Sequence, residues 1–206
     1  MARDRQSIVK MSRRDGYALH PKAHKALVKR TSMPGQSAGY NSRNKPSQYS
    51  LQLREKQKVK RLYGLLERQF SNLMKEADRK EGQSGEILLE YLERRLDNVV
   101  YRAGFAVSRR AARQLVTHGH FMLNGRRVDI PSIRVKQGDT LVLRPASQKN
   151  EYFKRIDDVS PASSDQIPSW LKVNRKKFEV SVSGAPSRDD AEPEIKEQLI
   201  VEYYSR

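Results

Sequence analysis

The sequence predicts an α+β fold in which a helical part is joined to a small α/β module of two helices packed on a mostly antiparallel sheet. Two stretches with helical spacing of apolar residues, 47–82 and 85–102, predict the helical part and the first helix of the module. Short strand-like runs on both sides of Asn124-Gly125 predict the sheet. Residues 1–45 form a basic N-terminal extension to these elements.

The charge of the chain predicts the kind of partner. Its 206 residues have a formal net charge of +17, and residues 1–60 hold 15 Lys and Arg against 3 Asp and Glu. An excess of this size predicts a polyanion. Nucleic acid is favoured over a basic membrane-surface binder, because the single Trp170 lies outside any basic helix. No apolar run is longer than three residues, so we expect no membrane partner.

Cysteine usage and the absence of catalytic patterns exclude several functions. The chain has no cysteine, which excludes a disulfide framework, a cysteine-ligated zinc site and a thiol nucleophile, and is compatible with a reducing compartment. It has no glycine-rich phosphate loop, and its four histidines have no evident acid or base partner. We therefore predict a protein that is not an enzyme and that has no cofactor and no small-molecule substrate.

The N-terminal extension is predicted to depend on a partner for its order. Prolines at positions 21, 34 and 46 interrupt any long periodic element. A disordered solubilising tail is the alternative. Tyr17, Tyr40 and Tyr49 lie among the cations and favour RNA, because rings can stack on bases while cations meet phosphates. The predicted RNA contacts are Arg3, Arg5, Lys10, Arg13 and Arg14.

The stretch 47–82 predicts a helix with a cationic face beside an apolar seam. Ser47 is the expected N-cap and Gly82 the expected stop, and Gly64 allows a break. The basic residues of this helix fall on adjacent turns, which suits contact with phosphates. The predicted RNA contacts are Arg54, Lys56, Lys58, Arg61 and Arg68.

The stretch 85–102 combines an apolar stripe with an opposite face rich in arginine. That face is predicted to contact RNA through Arg94, Arg95, Asn98 and Arg102. Glu90, Glu93 and Asp97 lie nearby and could pair with the same arginines, so a structural role is equally favoured for this helix alone.

A third amphipathic helix follows Gly104, with Ser108 as N-cap and Gly119 at its end. Positive side chains in its first turns oppose the helix dipole, and a phosphate bound there would make them favourable. The stability of the helix alone does not explain why Arg109, Arg110 and Arg113 lie in its first turns. The predicted RNA contacts are Ser108, Arg109, Arg110, Arg113, Gln114 and His118.

Turn residues predict a hairpin with a basic returning arm. Asn124-Gly125 is the signal of a type I′ turn, and Arg126 and Arg127 follow as predicted RNA contacts. Further strands are expected at 130–135 and 140–143, and short ones at 170–173 and 178–182. Trp170 is expected to anchor the core.

The C-terminal stretch is predicted to contact another protein. Residues 188–194 are acidic and turn-prone, and 194–204 predict a helix. An acidic end on a basic chain suits a basic protein better than RNA. The predicted interface residues are Glu194, Glu197, Glu202 and Tyr203.

Several motifs together resemble a known RNA-binding module. The segments at 95–102, 104–105, 108–116, Gly119 and 124–125 closely resemble the S-four module. The flanking segments at 34–36, 51–59, 66–70 and 198–205 resemble the bacterial S-four family of the small (30S) ribosomal subunit. The chain lacks the zinc-binding cysteines of many members and offers only His20 and His24 in that stretch, so it resembles the zinc-less form and no metal is expected.

This resemblance implies a ribosomal function. It implies a cytoplasmic small-subunit protein that binds 16S rRNA at a junction in the 5′ domain and nucleates assembly. It also implies contact with ribosomal protein S-five, a place where messenger RNA enters the subunit, and an influence on translational accuracy, with Arg43 and Lys45 as messenger contacts. The implied domains are 1–45, 46–92 with 187–206, and the inserted module with its following strands at 93–186.

The residues alone leave two alternatives to the ribosomal hypothesis open. An RNA-modifying or tRNA-charging enzyme can use the same module as an RNA anchor, although it needs a catalytic domain for which this chain leaves little room. A free-standing regulatory RNA binder is the other alternative. Cosedimentation with small subunits distinguishes it from a ribosomal protein.

Overall fold

The α+β prediction is confirmed by a computed structural model that describes residues 6–30, 32–35, 45–160 and 167–205. These residues contain eleven helices and one five-stranded sheet. The chain divides into two compact units, which we call the helical unit (Met1–Leu88 with Glu194–Arg206) and the module unit (Leu89–Pro193). The domain boundaries near 92 and 187 that the sequence suggests stay a prediction.

The eleven helices of the described residues are numbered in chain order. They are α1 (Ile8–Asp15), α2 (Pro21–Lys29), α3 (Gln48–Leu62), α4 (Glu67–Ala77), α5 (Ser84–Glu93), α6 (Leu96–Arg102), α7 (Arg109–Thr117), α8 (Pro145–Gln148), α9 (Glu151–Lys154), α10 (Ile156–Val159) and α11 (Glu197–Tyr204). The strands are β1 (Phe121–Leu123), β2 (Arg126–Val128), β3 (Thr140–Leu143), β4 (Leu171–Asn174) and β5 (Glu179–Val182).

The long helix predicted at 47–82 is two helices. The Ser47 hydroxyl accepts a hydrogen bond from the Ser50 amide at 3.2 Å, which confirms the predicted N-cap of α3. Gly64 has a φ of 67°, a left-handed conformation that glycine adopts without strain, and the chain turns there before α4 begins. The prediction of one continuous helix is therefore wrong, and the break allowed at Gly64 is correct.

Helices α1 and α2 are held by contacts within the chain. Asp15 accepts two hydrogen bonds from Arg61 of α3, at 2.6 and 2.8 Å, and the Asp15 side chain is only 2% exposed. Burial raises the pKa of Asp15, and the Arg61 guanidinium opposes that rise. His20 caps α2, because its Nδ1 accepts from the Lys22 amide at 3.0 Å. The sequence does not predict this internal support for residues 8–29.

The C-terminal helix α11 packs on α3 of the same unit. The Lys196 amide donates to the Glu55 carboxylate at 2.9 Å, and the Gln52 amide group donates to Glu202 at 2.8 Å. Lys58 donates to the Glu194 carbonyl at 2.8 Å. The predicted C-terminal helix is thus present as α11, and its polar contacts fix it along α3.

Replacing Gly85 with alanine is expected to destabilise the helical unit. An added Cβ would meet Glu197 Cγ at 2.9 Å and Glu197 Cβ at 3.0 Å, so α5 and α11 must shift apart. We expect a loss of about 1–3 kcal/mol in the free energy of unfolding, the usual cost of overpacking. Urea unfolding followed by far-ultraviolet circular dichroism measures it. Gly184→Ala is the matched control, since a Cβ there meets nothing within 4 Å, and equal midpoints for the two variants contradict the close contact.

The sheet of the module unit is antiparallel throughout, in the order β2-β1-β3-β5-β4. β1 and β2 pair with Leu123 opposite Arg126, and Asn124 and Gly125 have φ values of 50° and 79°. Both values match the type I′ turn that the sequence predicts. The Asn124 amide also donates to Asp139 at 2.8 Å, so turn chemistry explains this asparagine.

The strand predicted at 130–135 is wrong. Its backbone groups bond to the start of α6 instead of to the sheet: the Leu96 amide donates to the Ile133 carbonyl at 2.8 Å, and the Asp97 amide donates to the Pro131 carbonyl at 3.2 Å. The Val135 amide donates to Arg94 at 2.9 Å. One isolated bridge, between Arg95 and Arg134, is the β-pairing that the structure assigns to this stretch.

The core of the module unit lies between the sheet and helices α6 and α7. Phe105, Phe121 and Phe153 are nearly or fully buried in it, and the Phe105 and Phe121 rings stack with centroids 6.2 Å apart. Trp170 is 3% exposed, which confirms its predicted role in the core. Within the described residues, every helix is too short or too polar to cross a bilayer.

Candidate nucleic-acid interface

A buried carboxylate, Asp97, organises the arginines at the start of α6. Its side chain is 6% exposed and accepts hydrogen bonds from Arg95 at 3.1 and 2.8 Å and from Arg113 of α7 at 3.1 Å. Charge-assisted bonds of this length hold both guanidinium groups in fixed positions. Arg95 and Arg113 therefore tie α6 to α7 inside the module unit.

A second buried carboxylate, that of Glu93 at the end of α5, holds another arginine of α6 in place. It is 1% exposed at its side chain and receives two bonds from Arg102, at 3.0 and 2.9 Å. Asn98 donates to the same carboxylate at 2.8 Å and is itself 2% exposed. Arg94 pairs with Glu90 at 2.7 Å. The acid–arginine pairing that the sequence leaves open is thus present for all these arginines. Arg95 and Asn98 are buried and do not form an open row, and their contact with RNA stays a prediction.

The start of α7 also differs from its prediction. The Ser108 hydroxyl accepts from the Ala111 amide at 3.2 Å, as expected of an N-cap. Arg109 donates to Asn98 at 2.9 Å and to Glu192 at 2.9 Å, while Arg113 contacts Asp97. These internal acceptors explain two of the three arginines by stability. Arg110 instead lies on the exposed face of the helix, and the convergence of all three arginines on one phosphate stays a prediction.

The exposed face of α7 carries the polar residues that the fold does not bury. Arg110 and Gln114 are one turn apart and exposed, and His118 follows at the end of the helix. Arg127 of β2 lies over the adjoining turn, since a Cβ on Gly119 would sit 2.6 Å from its Nε. We call the exposed set Arg110, Gln114, His118, Arg126 and Arg127 the α7–β2 surface.

Two further residues, Arg144 and His120, border this surface, and the sequence predicts neither of them as a contact. Arg144 donates to the Gly119 carbonyl at 3.2 Å, which brings a second arginine, beside Arg127, to the turn after α7. Burial lowers the pKa of His120, and the positive charges of His118 and Arg144 lower it further. Arg144 follows a strand without any motif, so no pattern in the sequence singles it out.

The cationic face predicted on α3 is largely used inside the helical unit. Lys56 is 3% exposed at its side chain and pairs with Glu67 at 2.7 Å, so its placement on an open face is wrong. Lys58 pairs with Glu55 at 2.8 Å, and Arg61 holds Asp15. Their charges stabilise the fold.

Other predicted contacts of the helical unit are on its surface. Arg13 donates to the Ser32 carbonyl at 2.9 Å and is partly exposed. The exposed residues are Lys10, Arg14, Lys45, Arg54 and Arg68. The predicted contacts Arg3, Arg5 and Arg43 lie outside the described residues.

The Glu67 cluster predicts a defined acid sensitivity of the helical unit. Burial alone raises the pKa of Glu67, but hydrogen bonds from Lys56, Lys60 and Tyr204 lower it to about 2. The ordinary value is 4.5, so the unfolded chain binds a proton first, and the stability from this cluster is complete above pH 4.5 and is lost as the pH falls towards about 2. Glu67→Gln is expected to be less stable than the parent at pH 7, by up to about 1 kcal/mol for this half-exposed carboxylate, and to converge with it in acid. Urea unfolding midpoints of the parent and the variant, measured at pH 7 and near pH 2, test this, with the exposed Glu81→Gln as control. A difference in midpoint between parent and Glu67→Gln that stays the same at the two pH values contradicts the prediction.

The predicted protein-interface residues have mixed surroundings. Glu194 is exposed and Glu197 is partly exposed. Glu202 accepts from Gln52 at 2.8 Å, and the Tyr203 ring lies 5.9 Å from the Tyr49 ring, centroid to centroid. Glu202 and Tyr203 therefore serve the packing of α11 on α3 as well as any partner.

Metal-ligating side chains do not gather in the described part of the chain. Within residues 6–30, 32–35, 45–160 and 167–205, no three His, Asp or Glu side chains lie where they could hold an ion together. His20 instead caps a helix, as described above.

Two helices on an antiparallel sheet, with exposed Arg110 on α7 and exposed Arg126 and Arg127 on the adjoining hairpin, are the arrangement of an RNA-binding protein. A family model described as "Ribosomal protein S4/S9 N-terminal domain" matches residues 3–93, and one described as "S4 domain" matches residues 94–141.

The chain is 48% identical to small ribosomal subunit protein uS4 of Chloroflexus aurantiacus over 206 residues, covering 100% of both chains. It is 49% identical to uS4 of Clostridioides difficile and 46% identical to uS4A of Symbiobacterium thermophilum, each over 212 residues and 100% of both chains. The chain belongs to the uS4 family of small ribosomal subunit proteins. The family is one of structural ribosomal proteins, so the resemblance found in the sequence and the prediction of a protein that is not an enzyme are confirmed.

Proposed function

We propose that this chain is a structural constituent of the small ribosomal subunit in the cytoplasm and a primary binder of 16S rRNA at a junction in the 5′ domain. Full-length similarity to uS4 proteins supports the ribosomal assignment. The α7–β2 surface is the observation that supports the RNA contact, because its cations and amide are exposed on α7 and on the adjoining hairpin, where Arg127 reaches the turn after α7.

The chemistry of this surface suits a folded RNA. Guanidinium groups donate in a planar fork that fits phosphate oxygens, and each neutralised phosphate releases counterions. Selectivity then comes from the shape of the RNA junction, and affinity comes mainly from charge.

A salt-dependent binding titration tests this function. The purified chain is titrated with the 5′ domain of its own small-subunit rRNA, with an unrelated structured RNA of equal length as competitor. Contact with about six to eight phosphates predicts a slope of log K against log salt near −5. A large preference for the rRNA that persists at high salt supports a primary assembly protein. Equal affinities that collapse with salt contradict it and favour a free-standing regulatory RNA binder.

We extend the proposal to the messenger and to ribosomal protein S-five. Lys45 is exposed beside the N-terminus of α3, where it is available to a passing messenger, and Arg43 is proposed with it on sequence grounds. The exposed carboxylate of Glu194, with Glu197, Glu202 and Tyr203 along α11, is proposed as the face for S-five, through which the chain influences accuracy.

A charge reversal tests the S-five contact. Glu194→Lys is expected to weaken binding of purified S-five several-fold, because it replaces an attraction with a repulsion. The exposed Asp129→Lys is the matched control, because Asp129 lies outside the acidic stretch 188–194. Equal affinities for the parent and both variants remove Glu194 from the interface.

A further inference from the structure

Arg102 and Arg109 converge on a single oxygen. Arg109 Nη2 lies 2.9 Å from Glu192 Oε1, and Arg102 Nη2 lies 3.6 Å from the same atom. Each guanidinium is anchored elsewhere by the fold: Arg102 by the two bonds to Glu93, and Arg109 by Asn98 and by the Tyr101 ring, whose centroid is 4.6 Å from Arg109 Cζ. The two groups therefore keep their positions whether or not Glu192 is present.

We propose that Arg102 and Arg109 form a phosphate site that the Glu192 carboxylate occupies in the protein alone and leaves when RNA binds. The site deepens the proposed rRNA-binding function and rests on it. Glu192 then acts as an internal competitor, which RNA must displace to reach the arginine pair.

The charges at this site favour an exchange of Glu192 for a phosphodiester. The two guanidinium groups carry two positive charges, Glu93 contributes one negative charge and Glu192 another. Without the Glu192 carboxylate, the group keeps one positive charge, which matches the single negative charge of a backbone phosphate. Buried charges are stable only when paired, so the site holds an anion in both states.

Exposure shows which of the two carboxylates can leave. The Glu192 side chain is 22% exposed, whereas that of Glu93 is 1% exposed. Glu192 lies outside the helices and strands, between Arg188–Asp190 and α11. Rotation about its side-chain bonds moves the carboxylate toward water without unfolding any element, and hydration of the carboxylate compensates in part for the ion pairs that it loses.

Three variants of the full chain test this inference against the rRNA 5′ domain. Glu192→Gln keeps the size of the side chain and removes its charge, and it is expected to bind RNA about three- to tenfold tighter, the range of a partly buried ion pair. Asp189→Asn removes the same charge three residues away from an exposed side chain, and it is expected to change the affinity by less than about twofold in physiological salt. The double variant Glu192→Gln with Arg109→Gln is expected to lose the gain.

The outcomes separate this inference from the function on which it depends. If the parent chain shows no preference for the rRNA, the proposed function fails. If the parent binds and Glu192→Gln gains no more than Asp189→Asn, the function stands and the phosphate site is wrong. Trp170 fluorescence confirms that each variant keeps the folded module unit, because this tryptophan is buried in its core.

Discussion

Replacing Arg110, Arg126 and Arg127 together with glutamine is expected to weaken binding to the rRNA 5′ domain by about 10- to 100-fold at moderate salt. All three residues are exposed, so their loss leaves the core of the module unit intact. If each contacts one phosphate, the slope of log K against log salt becomes shallower by about 2 to 3. Filter binding over a salt series measures both quantities.

The opposite edge of the sheet provides the matched control. Lys172 of β4 and Lys176 and Lys177 of the following turn are exposed, and β4 is separated from β2 by three strands, a distance of about 19 Å at the usual strand spacing. The corresponding triple glutamine variant removes the same charge. We expect it to lose less than about threefold in affinity. Equal losses for the two triple variants would mean that net charge, and not the α7–β2 surface, determines binding.

Replacing Asp97 with asparagine is expected to destabilise the module unit by about 3 kcal/mol, because the buried Arg95 loses the negative charge of the carboxylate that accepts its two hydrogen bonds and Arg113 loses the same charge. The substitution keeps the size of the side chain, so a lost charge and not a cavity causes the effect. Trp170 is the single tryptophan and lies in the core of this unit, so its fluorescence during urea unfolding reports the stability of the unit directly.

Asp129→Asn is the control for this measurement. Asp129 is exposed and follows β2, and its replacement is expected to change stability by less than about 0.5 kcal/mol. Should the midpoint of Asp97→Asn equal that of Asp129→Asn, the buried pairing of Asp97 would contribute nothing to folding, contrary to our expectation.

Local chemistry made part of the fold predictable. The caps at Ser47 and Ser108 and the turn at Asn124-Gly125 each depend on residues within three positions of one another, and the structure contains all three. The stretch 130–135 was assigned wrongly for the opposite reason. Its alternation of apolar and polar residues suits a strand, but its backbone groups bond to residues at the start of α6. A local pattern cannot predict partners that lie so far away in the sequence.

The sequence predicts which residue types form the candidate site but not which partners they contact. The sequence identifies arginines on α6 and α7, but their partners depend on how these helices pack. Arg109 meets Glu192 across 83 positions of sequence, and no spacing rule connects them. Exposure decides the outcome for each residue: Arg110 is presented to solvent, while Arg95 on the neighbouring helix is buried.

The packing of α11 on α3 has a consequence for biosynthesis. Gln52 and its partner Glu202 are 150 residues apart, so a nascent chain exposes the α3 surface for as long as the intervening residues are being synthesised. Every residue of the module unit leaves the exit tunnel before α11 does. The helical unit therefore gains its last helix only when the final residues of the chain have emerged.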